Sequence, residues 1–234
     1  MKRSAIVLTV LLLGGVALAT TWVPSEKTDP MTGEKVPSQE IMSYGTYIYH
    51  WPSKYDLVFW PFTDENCICL NPKTGYAAFN NDFEELPDAE KQGLALWLKE
   101  NYKADNPPKS HKEKLAWLEK VYGLRKMDDP FWCYFYRLMA YIHSKDKETS
   151  LAYVRKAVPL LEKRLTSTPE GVDKLEVLYL LGEYYRRLGD SKKAQEFFAQ
   201  VEDVKYKDEE GKEQTGQRLM AEESSNKTDA GDGN

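Results

Sequence analysis

The chain has 234 residues, a formal net charge of −5, 12% aromatic residues and a mean hydropathy of −0.61. That charge balance excludes nucleic-acid binding through a broadly basic surface, and three cysteines are too few, and odd in number, for a disulfide scaffold. The length suits one ordinary domain or two small ones with a real core.

Lys2 and Arg3 precede an apolar run from Ala5 to Ala19 that ends with Ala17 and Ala19 in an A-x-A arrangement. This is the pattern of an export signal, residues 1–19, with cleavage expected after Ala19. Gly14-Gly15 interrupts the run, which is shorter than the roughly 20 residues needed to span a bilayer, so membrane attachment is expected only through an uncleaved signal. No cysteine follows the run, which argues against a lipoprotein. The expected location is periplasmic or extracellular.

Residues 20–85 have the composition of strands and turns, with strands expected at Tyr44–Tyr49, Tyr55–Trp60, Cys67–Leu70 and Tyr76–Phe79. In a strand Cys67 and Cys69 would share a face at a Cα separation of about 6.5 to 7 Å, at or beyond the usual disulfide limit. Buried free thiols are the simpler account, and a bridge from one of them to Cys133 is the other.

From Leu86-Pro87-Asp88 the period becomes helical and stays so through residue 206. Leu94, Trp97, Leu98 and Tyr102 mark the first helix; Asn106-Pro107-Pro108 breaks the chain; Leu115, Leu118 and Tyr122 mark the second. Asp128-Asp129-Pro130 opens a third, Phe131 to His143, apolar almost all round and therefore expected at the centre of the helical core. A fourth, Lys147 to Leu165, carries Leu151, Val154, Val158, Leu161 and Leu165, with a kink expected at Pro159. The fifth and sixth, Asp173 to Leu188 and Ser191 to Val204, meet at Gly189-Asp190, where glycine closes one helix and aspartate caps the next. Residues 207–234 hold twice as many acids as bases and few large apolar residues, and are expected to form a mostly disordered acidic tail beyond about Met220.

Two motifs stand out. Leu178, Leu181-Gly182, Tyr185, Ala194 and Phe198 meet the tetratricopeptide pattern with its first aromatic replaced. Gly182 and Ala194 are small so that two antiparallel helices can approach, and Leu181, Tyr185 and Phe198 fill the seam. The other motif is an internal echo: Asp29-Pro30-Met31-Thr32-Gly33 and Asn71-Pro72-Lys73-Thr74-Gly75 share the form Asx-Pro-x-Thr-Gly, which specifies a tight turn.

Asp29 to Val36, Asn71 to Phe79 with Asp82-Phe83, and Leu188-Gly189-Asp190 with Ala194 and Phe198 resemble the bacterial family called domain of unknown function 2225. The resemblance implies a zinc ribbon with knuckles of the form C-P-x-C-G joined to tetratricopeptide-like helices, and no activity. The four positions of its cysteine ligands read Asp29, Thr32, Asn71 and Thr74 here. One carboxylate with two hydroxyls and an amide is too weak a set to hold zinc, so no metal or cofactor is expected, and Asx-turn and Thr hydrogen bonds are expected to hold the turns instead.

The expected fold is therefore α+β and mostly α, a small β-rich ribbon-like module packed on helical hairpins. A non-enzymatic binding or scaffold role is the first reading, with a protein or peptide partner and with Tyr47, Tyr49, Trp51, Trp60 and Tyr185 as the candidate surface. A second is a carbohydrate- or peptide-acting hydrolase using the aromatic segment 44–62 with Asp64, Glu65 or His50, and a third is a structural envelope protein. No catalytic residue is assigned: His50, His111 and His143 sit in no recognisable catalytic arrangement, and the acidic pairs Asp64-Glu65, Glu84-Glu85 and Asp128-Asp129 have the look of turn and cap residues.

Overall fold

The computed structural model describes residues 21–43, 59–208 and 210–221. Strands β1 (Thr21–Thr28) and β2 (Lys35–Ser43) form an antiparallel hairpin, and β3 (Ile68–Leu70) and β4 (Ala77–Phe79) form a second. The Asx-Pro-x-Thr-Gly turns connect the strands of each. Asn80 joins the hairpins, donating from Nδ2 to the carbonyls of Gln39 and Asn66 and accepting from the Ser38 hydroxyl.

Helices α1 (Asp88–Asn101), α2 (His111–Tyr122), α3 (Asp129–Ile142), α4 (Lys147–Ser167), α5 (Val172–Leu188) and α6 (Ser191–Asp203) follow. Their starts are set by local chemistry. Asp128, Asp146 and Asp190 each accept from a backbone N–H three residues on, and Ser110 with Glu113 forms a reciprocal capping box. The chain is α+β and mostly α.

Helix α3 is the wall between two cores. Phe135, Leu138 and Met139 join Phe59, Tyr76, Phe79, Phe83, Leu118 and Tyr122 on the side of the hairpins, whereas Cys133 and Ala140 join Leu161, Leu178, Leu181 and Val201 on the other. This explains why the third helix carries so few polar residues: both of its faces are covered. Beyond it each helix packs on its neighbour in sequence, α3 on α4, α4 on α5 and α5 on α6. A Cβ on Gly182 would stand 2.5 Å from the Phe198 ring, so the glycine is what lets α5 and α6 close.

Several expectations change. The strand expected at Tyr44–Tyr49 lies outside the described residues, as does most of Tyr55–Trp60; Phe59 and Trp60 enter a turn, with Phe59 buried against Tyr134 and Tyr141. The first hairpin lies earlier than any expected strand because Val36 and Ser38, rather than an aromatic run, face the core. Pro159 lies inside α4, and α3 starts at Asp129. The tail expected to be disordered beyond about Met220 lies almost wholly outside the described residues, and the chain ahead of it is ordered. Strands β5 (Lys205–Lys207) and β6 (Glu213–Thr215) pair, a helical turn covers 216–221, and Leu219 is buried in the second core, so an apolar anchor overrides the charge pattern there.

Candidate functional site

The two turns, distant in sequence, meet in space. In each, the Asx side chain accepts from the backbone two residues on: Met31 N donates to Asp29 Oδ1 at 2.7 Å, and Lys73 N to Asn71 Oδ1 at 2.9 Å. In each, the threonine hydroxyl accepts from the amide two residues on, at 3.3 Å for Glu34 and 3.2 Å for Tyr76. Gly33 and Gly75 take φ of 73° and 80°, the left-handed conformation that excludes most side chains. The turns are thus two copies of one local structure, facing each other.

A single carboxylate closes them. Asp29 is fully buried, and Asn71 Nδ2 donates to its Oδ2 at 2.5 Å, with the Thr74 hydroxyl donating to the same oxygen at 3.4 Å. Thr32 N adds a 3.2 Å bond to Oδ1, so four donors surround this carboxylate, and among the described residues it makes no ion pair. Charge-assisted hydrogen bonds of this kind offset the desolvation that an unpaired buried carboxylate would suffer. The four positions that the family resemblance assigns to ligands, Asp29, Thr32, Asn71 and Thr74, therefore converge. Among the described residues no group of three or more His, Cys, Asp or Glu is placed to hold a metal ion.

The second turn is docked onto the helices. Trp117 on α2 donates from its indole nitrogen to the Gly75 carbonyl at 2.7 Å, and Tyr102, just past α1, donates from its hydroxyl to the Pro72 carbonyl at 3.0 Å. A Cβ on Gly75 would lie 2.2 Å from the Tyr102 ring. Deeper in, buried Tyr122 donates to Asp82 Oδ1 and accepts from Phe79 N, and Arg125 donates to Asp82 Oδ2. Burial raises the Asp82 carboxyl above its ordinary range against the pull of Tyr122 and Arg125. Beside the turns lies an open groove of about 720 Å³, where Met31, Thr32 and Thr74 face α1.

Tyr185 is not a surface residue: its ring is 8% exposed and stacked on Phe197, and its hydroxyl donates to Glu162 while accepting from Lys193. Its contacts with Phe197, Lys193 and Glu162 use up both its ring and its hydroxyl. Trp60 is half-buried in its turn, and Tyr47, Tyr49, Trp51 and His50 lie outside the described residues. Asp64 caps a short 3-10 helix, Glu65–Cys67, and accepts from the Trp22 indole, while Glu65 pairs with Lys114. Glu84 accepts from Thr28 N, and Asp129 pairs with Lys163. His111 opens α2, and His143 follows α3 with its ring stacked on Tyr153. Cys67, Cys69 and Cys133 are free and buried. Sequence reasoning missed Trp117 and Tyr102 as partners of the second turn. The signal was available, since both are aromatic residues with a polar edge at the apolar positions of α1 and α2.

The model of the family described as an uncharacterized protein conserved in bacteria, DUF2225, matches residues 53–219. The chain belongs to this family. The match takes in the second turn and all six helices, while the first turn precedes it. Neither a search of curated proteins nor a search of solved structures found a match to this DUF2225 protein.

Proposed function

We propose that this protein is an exported, non-enzymatic binding or scaffold protein that engages a protein or peptide through its helical region. The observation that carries the reading is the serial packing of α3 to α6, in which each helix packs on its neighbour in sequence. Helical hairpins stacked in series commonly present their outer flank to partners. The polar groups nearest the ribbon support it as well, because Asp29, Asn71, Asp82 and Tyr122 are engaged in hydrogen bonds that hold the fold. On this reading the ribbon-like module is a rigid end-piece closed by the Asp29–Asn71 bond in place of a metal. The A-x-A ending at Ala19 supports export.

The test is to isolate the protein from the exported fraction, determine its first residue and cross-link it in place. A mature chain beginning at Thr20, with one partner captured in a saturable complex, is the expected result. Turnover of a peptide or glycan by the purified chain, with no saturable partner, would contradict it.

A further inference from the structure

The groove beside the twin turns adjoins a second hollow of about 350 Å³, and Tyr102 lines both. Together they make a channel bounded by the second turn, α1, the 102–109 connection and α2. Lys73, Lys91 and Lys99 line one half, and Lys103, Lys109 and Lys120 the other. Two acids share the lining: Asp88 pairs with Lys91 at 2.7 Å, and Glu113 completes the capping box with Ser110; Lys73 pairs with Glu34 at 2.9 Å, which leaves Lys99, Lys103, Lys109 and Lys120 as the lining cations with no ion pair among the described residues. The floor is aromatic, from Tyr102 and half-buried Trp117, whose polar atoms are spent on Pro72 and Gly75. On a chain of net charge −5 this is a local concentration of positive charge over an apolar floor.

We infer that this channel is the docking site of an acidic peptide segment that carries apolar side chains. Lysine ammonium groups along both walls fit spaced carboxylates, and the Tyr102–Trp117 floor fits an apolar side chain between them. Separated ammonium groups over an aromatic floor fit spaced carboxylates and apolar side chains better than the continuous phosphate charge of a nucleic acid, and a concave channel disfavours a flat bilayer. The inference rests on the binding reading above and names a site for it that differs from the α3 to α6 flank.

The experiment is fluorescence anisotropy of a labelled 12-residue peptide of alternating Glu and Leu, titrated with the full mature chain at low salt. The double variant K99E/K103E reverses two exposed walls, and K192E reverses an exposed lysine on α6; matching thermal melts confirm that all fold alike. The expected result is saturable binding, weakened about tenfold or more by K99E/K103E, unchanged by K192E, and reduced by salt. Equal weakening by both variants, or by neither, overturns the channel assignment. Competition by an oligonucleotide or by anionic phospholipid vesicles as effective as that by the peptide overturns the peptide assignment. If the channel fails these tests while cross-linking still captures a partner equally in K99E/K103E, the binding reading stands and only its site is wrong.

Discussion

Asn71 donates from Nδ2 to Oδ2 of Asp29 at 2.5 Å, the shortest of the side-chain contacts, with Thr74 on Asp29 and Lys73 on Glu34, that join two turns of matching local structure. Around it the backbone of each turn is self-sufficient: Gly33 N donates to the Asp29 carbonyl and Gly75 N to that of Asn71, both at 2.8 Å. What the side chains add is the relation between the turns, and so between the first hairpin and the rest of the protein.

Gly33 and Gly75 have nearly the same φ but different neighbours, which separates backbone strain from crowding. G33A meets open space and is expected to cost about 1 kcal/mol, the penalty of a left-handed alanine. G75A adds a collision with the Tyr102 ring and is expected to cost about 3 kcal/mol in total. Urea denaturation of both variants checks the difference.

Gly182 and Phe198 form the close contact between α5 and α6. G182A is expected to lose about 2 kcal/mol, because the new methyl must displace an aromatic ring packed in the seam. The smaller side chain in G182A/F198L should recover part of that loss, and a double-mutant cycle from thermal melts measures the coupling.

Burial pushes the Cys67 and Cys69 thiols up to about 12, so neither supplies thiolate at neutral pH. The native protein is expected to react slowly with a thiol-titrating disulfide reagent near neutral pH and to release three thiols on unfolding, Cys67 and Cys69 together with buried Cys133. Fast native reaction at either site would contradict the packing of β3.

Hydrogen bonds from the Thr149 side chain and backbone hold the Asp146 carboxyl below its usual range, and backbone N–H groups of Ser110 and Lys109 do the same for Glu113. A depressed folded value means stability that is present above the ordinary carboxylate range and lost as pH falls through the folded value. Melting temperature is therefore expected to drop on acidification, and to drop less in D146N/E113Q, whose caps no longer titrate.

Much of this fold was legible in the sequence where one residue decides one local event. Asp128 before Asp129-Pro130, and Gly189-Asp190, fix helix ends by capping, which acts within a turn and needs no tertiary information. The paired Asx-Pro-x-Thr-Gly segments were visible for the same reason. Tyr185 is expected both in the seam and on the candidate surface, and only the seam placement holds, because Glu162 and Lys193, which satisfy its hydroxyl, come from other helices. Leu219 was lost among acids, since one buried side chain leaves no period. The docking of Trp117 and Tyr102 on the second turn depends on how α1 and α2 approach the ribbon, which pattern alone does not encode.

If the turns keep a ribbon geometry, four cysteines at their matching positions should restore a metal centre. The variant D29C/T32C/N71C/T74C is expected to bind about one equivalent of zinc tetrahedrally, because four thiolates make a closed structural set. A cobalt-substituted spectrum lacking tetrahedral bands would show that the positions converge less closely than the hydrogen bonds imply.

The most direct measurement is a stability cycle across D29N, N71D and the exchange D29N/N71D. D29N sets two amide donors against each other and N71D sets two carboxylates together, so each single change is expected to cost about 2 to 3 kcal/mol. Because the turns are equivalent, the exchange re-forms a carboxylate–amide bond with the roles reversed, and should recover at least half of the summed loss. Additive losses in the double variant would contradict the claim that this bond is what closes the twin turns.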